Sequence, residues 1–197
     1  MGPRRWAKMV AMDATQLELD VDGTAAWSSA GPERLAWSLA ETVRVLTALG
    51  GCYAGPWRLR HDRFRPAVED VAAVPLGRLV VEVGSRPVRD VDDRALPEHG
   101  HRFTLDNGMA TLRVYATRTW PSVSVAPFRA ARGDGVVDDA VVDDAVVVAT
   151  TDLLTTLVTT WDGESARAHH GRTVVAEVVP PRVAVLSEAR GDEAGDI

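Results

Sequence analysis

A chain of 197 residues, 46% apolar and 25% charged, has the size and balance of one ordinary globular domain, which argues against a disordered chain. The net charge is −6, lysine is almost absent and the arginines are scattered among carboxylates. That pattern argues against a phosphate-backbone partner, which needs clustered basic residues, and favours a basic protein surface. The longest apolar runs, such as Val146 to Ala149, fall far short of the roughly 20 residues that span a bilayer, so no membrane is expected. Lys8, Asp13, Gln16 and Glu18 interrupt the stretch after Arg4-Arg5, so no export signal is read. Cys52 is the only cysteine and cannot form an intrachain disulfide, which suits a reducing cytoplasm. Its expected state is that of a small buried hydrophobe.

Taken in chain order, Gln16 to Val21 alternates with a period of two and predicts a half-buried strand ended by Asp22-Gly23. Gly31-Pro32-Glu33 then opens a helix, with proline at a position that needs no amide hydrogen and an acid near the positive helix end. Leu35, Leu39, Val43, Leu46 and Leu49 form its apolar stripe, and Gly50-Gly51 stops it. Trp37 falls off that stripe. Gly55-Pro56 marks a turn, with Trp57 and Leu59 on a short extended segment beyond it. Leu76, Leu79, Val80 and Val83 fit a helix behind Pro75, although Val80 to Val83 also suits a strand; the helix is preferred. Arg86 to Gly100 reads as a polar loop.

His101 to Phe128 carries the clearest β signal. Asn107-Gly108 between alternating runs predicts a tight hairpin with positive φ at both central residues, and Ser122 to Val125 adds a third strand. Val-Val-Asp-Asp-Ala then occurs twice over Val136 to Ala145 and reads as an exposed loop. Thr150-Thr151-Asp152 looks like the cap of a helix bearing Leu153, Leu154, Leu157, Val158 and Trp161, closed by Asp162-Gly163. A polar loop through His169-His170-Gly171 leads to two strands, Thr173 to Val179 and Arg182 to Leu186. The expected fold is a single α+β domain over 1–187, an antiparallel sheet packed by a long N-terminal helix and a second late helix. An acidic, disordered tail is expected over 188–197.

Chemistry is hard to assemble from these residues. His99 with His101, His169 with His170, and the aspartates of the repeat lack the spacings of zinc or calcium sites, so no metal is expected. No Gly-x-Ser-x-Gly elbow and no phosphate-cradling glycine loop occurs, so neither catalysis nor a cofactor is expected. What remains is binding. Exposed tryptophans are common interface anchors, and carboxylates can meet a basic partner. The candidate partner contacts are Trp37, Trp57, Asp138, Asp139, Asp143 and Asp144. Trp161 is expected in the core.

In this order, a first strand leading to Trp27, a helix from Arg34 to Leu49, and an aromatic segment at Trp57 are followed by a strand-Asn107-Gly108-strand unit. A late helix ending in Trp161-Asp162 completes the series. The series resembles the immunity protein 52 family of bacterial polymorphic-toxin systems over Thr15 to Gly163. The resemblance implies a cytoplasmic antidote that binds a cognate, basic toxin without turnover; it carries over no residue by position and no oligomeric state. The alternatives are a structural or adaptor subunit of a larger phage-derived or defence assembly, and a metal-dependent enzyme built on His99, His101 and the Asp-rich segment.

Overall fold

A computed structural model describes residues 17–60, 67–128, 144–170 and 173–180. The strands are β1 (Glu18–Asp22), β2 (Arg58–Leu59), β3 (Gly100–Asp106), β4 (Ala110–Thr117), β5 (Ser122–Pro127), β6 (Ser165–His170) and β7 (Thr173–Val178). The helices are α1 (Pro32–Leu49), α2 (Leu76–Gly84) and α3 (Asp144–Trp161). The strands form one antiparallel sheet in the order β2-β3-β4-β5-β1-β6-β7, so the first strand lies between the meander and the C-terminal pair. This is an α+β fold with one continuous apolar core.

The alternation read in the sequence explains why helices cover one face of the sheet. Leu59, Leu105, Leu112, Val125, Leu19, Ala168 and Ala176 form a single cross-strand row, and all are buried. Phe103, Val114, Val123, Val21 and Ala166 make the next row. Side chains shrink from leucine to alanine along the first row, and α3 lies over β1, β6 and β7, where the small residues are. The intervening residues, Asp20, Arg102, Arg113, Tyr115 and Ser124 among them, point the other way, since successive residues of a strand face opposite sides.

Helix α1 begins as its sequence predicts, with Gly31 as cap, Pro32 first and Glu33 in the first turn. Leu35, Leu39, Val43 and Leu46 are fully buried. Two buried polar contacts tie it to the end of α3. Ser38 Oγ donates to the Thr160 carbonyl at 2.9 Å, and Trp161 Nε1 donates to Thr42 Oγ1 at 2.9 Å. Trp161 is a core residue as expected, its ring 5.2 Å from that of Trp27. Cys52 is buried, and the ambiguous Leu76 segment is the helix α2.

Three expectations are corrected. First, α3 spans Asp144–Trp161 among the described residues, so Thr150 to Asp152 lie inside it and do not cap it. Thr150 is buried within it, and Thr151, Thr155, Thr156 and Thr159 each donate back to the carbonyl four residues earlier, at 2.7–3.0 Å. Threonine hydroxyls satisfied in this way sit inside a helix without terminating it. Second, His169 and His170 belong to β6, whose inward residues are Ala166 and Ala168. Alanine has a weak strand preference, so the period of two is there but faint. Third, the hairpin closes with four residues, Asn107 to Ala110, between the paired Asp106 and Thr111. Only Gly108 has positive φ, at 85°. Asn107 Oδ1 accepts from the amides of Met109 and Ala110, while Nδ2 donates to the carbonyls of Cys52 and Ala54. The asparagine thus holds the turn with its side chain.

The segment from Arg86 to Gly100 is a loop, but a tied one: Pro87 bridges His101 and Arg89 bridges Ala95. Residues 136–143 of the repeat, the predicted strand over 182–186 and the tail lie outside the described residues. Among the described residues, no helix is long and apolar enough to cross a membrane.

Candidate functional site

Three of the six predicted partner contacts, Trp37, Trp57 and Asp144, lie among the described residues. Trp37 lies on the outer side of α1 and is 44% exposed, as its place off the leucine stripe implied. Trp57 is fully buried, so the expectation that it meets a partner is corrected. Its indole nitrogen donates to the Tyr53 carbonyl at 3.1 Å, and its own carbonyl accepts from the Val71 amide at 2.9 Å. The turn at Gly55-Pro56 therefore directs this ring inward, where a large aromatic surface gains most from leaving water. Asp144 is exposed in the first turn of α3, where its charge complements the helix dipole. Asp138, Asp139 and Asp143 lie outside the described residues.

Trp37 stands at the rim of a groove of about 430 Å³ between α1 and α2, floored by Ala40, Val71, Val74 and Leu79 and flanked by the half-exposed Leu76. The Arg34 guanidinium lies 4.9 Å from the Trp37 ring centroid. Arg34 is itself anchored, donating to Asp162 Oδ2 at 2.7 Å and to the Thr160 carbonyl at 3.2 Å. The Arg34 contact thus restrains the position of the exposed indole. Further along the same α1 margin Glu41 accepts two hydrogen bonds from Arg44, which hold its carboxyl below the usual glutamate range.

The face of the sheet opposite the helices carries a second concavity, of about 510 Å³. Its geometry follows from register. Arg102, Tyr115 and Ser122 lie side by side on β3, β4 and β5, and Arg113, Ser124 and Asp20 form the neighbouring row. Arg118 and Trp120 enter from the turn between β4 and β5. The Arg102 guanidinium lies 5.1 Å from the Tyr115 ring centroid. Trp120 is 71% exposed, and its backbone amide and carbonyl are both bonded to Thr117 Oγ1. Among the described residues, no carboxylate lies within ion-pair distance of Arg102, Arg113 or Arg118. The charge reverses at β1. Burial pushes the Asp20 carboxyl up, opposed by His169, whose Nε2 lies 3.8 Å from Asp20 Oδ2; Asp22 raises it further and Arg167 lowers it. Arg167 is spent on Glu177 at 2.8 Å and Asp22 at 3.7 Å.

The histidine pairs do not converge. His99 is half-exposed in a short turn beside the cleft, whereas His101 is directed to the core side of β3 with both ring nitrogens sealed from solvent and without a hydrogen-bond partner. Burial holds its pKa below the ordinary imidazole value. Among the described residues, no three His, Cys, Asp or Glu side chains are grouped as metal ligands would be. Arg102 and Arg113 share the outward parity of the predicted hairpin, but Arg118 and Trp120 come from the turn after β4, so the four were not legible as a group in the sequence. Comparison with protein-family models and with characterised proteins finds no match for this chain.

Proposed function

We propose that this chain is an immunity-type protein that captures a toxin protein in the cytoplasm and blocks it by binding, without turnover. The observation that supports this reading is Trp37, an exposed indole held in place by Arg34 at the edge of an apolar groove. Aromatic side chains beside partly apolar pockets carry most of the energy at protein interfaces, and one held rigid before binding loses little entropy there. The net charge of −6 adds long-range attraction for a basic partner, which speeds encounter and weakens with salt.

The test is co-expression with the toxin encoded beside it. Restored growth and a discrete complex on gel filtration are expected, with Trp37→Ala weakening the complex by about 30-fold, the effect of losing a hot spot worth about 2 kcal/mol. Undiminished lethality with no complex contradicts the proposal. Native mass of the purified chain separates the alternative of an assembly subunit, for which a homo-oligomer or multi-protein particle is expected.

A further inference from the structure

We propose that the arginine-lined cleft on the face of the sheet opposite the helices binds a small phosphate-bearing ligand with a planar ring, of mononucleotide size. This site lies across the sheet from the Trp37 groove and does not depend on the capture function.

Three features point to this chemistry. Arg102, Arg113 and Arg118 line one concavity, and no described carboxylate pairs with any of them. In a protein of net charge −6, three arginines lining a cleft with one described carboxylate, Asp20, are a local exception. Guanidinium groups match phosphate oxygens with paired N–H donors, and Arg102, resting on Tyr115, is already restrained. Trp120 supplies the second feature. The residue is 71% exposed and its backbone is pinned to Thr117, which places a flat apolar side chain at the mouth of the cleft. A base or similar ring can stack on such a surface. The hydroxyls of Ser122 and Ser124 line the floor and offer further donors.

Size and charge pattern then limit the ligand. A volume of about 510 Å³ lies within the range of about 300–1,000 Å³ typical of small-molecule sites. The positive region is also bounded. One strand beyond β5 the same face presents Glu18, Asp20 and Asp22, of which Asp20 forms the cleft's own acidic edge. A polyanion continuing across the sheet would meet these carboxylates, whereas a single phosphate stays among the arginines. An acidic peptide would use the arginines but has no need of Trp120.

The full-length chain is titrated by calorimetry with adenosine 5′-monophosphate, and separately with inorganic phosphate and with adenosine. Saturable binding of the mononucleotide is expected, at least ten-fold tighter than either half alone. Arg113→Gln and Trp120→Ala should each weaken it ten-fold or more with unchanged thermal midpoints, Arg113→Lys should weaken it less than Arg113→Gln, and Trp37→Ala should leave it unchanged. The same titration with guanosine, cytidine and uridine 5′-monophosphates covers the other rings. Absence of saturable binding by all four mononucleotides overturns the proposal. So does tighter binding of a ten-nucleotide single strand with a steeper salt dependence, which would assign the face to nucleic acid. Displacement of the mononucleotide by a hexaglutamate peptide at lower concentration would assign it to an acidic protein segment and equally overturn it.

Discussion

Gly100 opens β3 with a φ of 97°, and a methyl group added there would stand 1.9 Å from the Ala116 carbonyl oxygen. Gly108 has a similar φ of 85° but open space around it. Gly108→Ala should therefore cost only the left-handed backbone term, about 1–2 kcal/mol, and Gly100→Ala should add overpacking for about 3 kcal/mol or more. Urea unfolding of the two variants checks this, and equal losses would contradict the packing account. The sequence marks both glycines as turn residues; only the fold distinguishes them, because the atom that Gly100 faces comes from the neighbouring strand. His101 is a second case. Its pKa is lowered by burial, so the unfolded chain binds a proton that the folded chain resists. The stability it confers is complete above the ordinary imidazole value of about 6.5. It is lost as pH falls toward the lower folded value. His101→Leu should thus lose less stability than the unaltered chain between pH 7.5 and 5.5, as measured by urea unfolding. A variant that loses as much as the unaltered chain would contradict this.

At the scale of elements, α1 and α3 are joined by the buried Trp161–Thr42 and Ser38–Thr160 hydrogen bonds, and Trp27, in the turn before α1, packs on Trp161. Thr42→Val leaves the indole N–H unpaired in the core and should cost about 1–3 kcal/mol. Trp161→Phe made in the Thr42→Val background should cost less than Trp161→Phe alone, a double-mutant cycle that reads the coupling directly. Additive costs would show that the bond contributes nothing. Asn107 makes four hydrogen bonds that hold the hairpin against the Cys52–Ala54 segment. Asn107→Ala should cost about 2 kcal/mol and speed amide exchange at Met109 and Ala110. Exchange unchanged at those two amides would contradict the turn assignment. The helix α1 and the meander β3-β4-β5 were legible because leucines at helical spacing and alternating β-branched residues reflect one-sided burial directly. The start of α3 and the strand β6 were not. Threonines bonded to their own helix imitate a cap, and alanines under a close-packed helix make a weak strand pattern. The place of β1 between β5 and β6 depends on pairing across more than a hundred residues, which local periodicity does not encode.

For the whole molecule, the two faces differ in kind. The helical side presents Trp37 and an apolar groove; the sheet side presents arginines and Trp120 bounded by the acids of β1. Trp37 was legible because it leaves a regular stripe on one helix. The arginine cleft was not, because its members come from two strands and a turn and share a face only once register is known. Trp57 was misplaced for the converse reason: an aromatic beside a turn reads as exposed until the packing of the turn is seen. For the proposed capture of a basic toxin, the acidic surplus should make association slow as salt rises, with dissociation affected little. Affinity of the purified toxin for the chain carrying Trp37→Ala, measured against the unaltered chain and against Trp120→Ala, is the most direct test of capture through the helical face. The account predicts about 30-fold weaker binding for Trp37→Ala with little change for Trp120→Ala. Equal affinities for Trp37→Ala and the unaltered chain would contradict it.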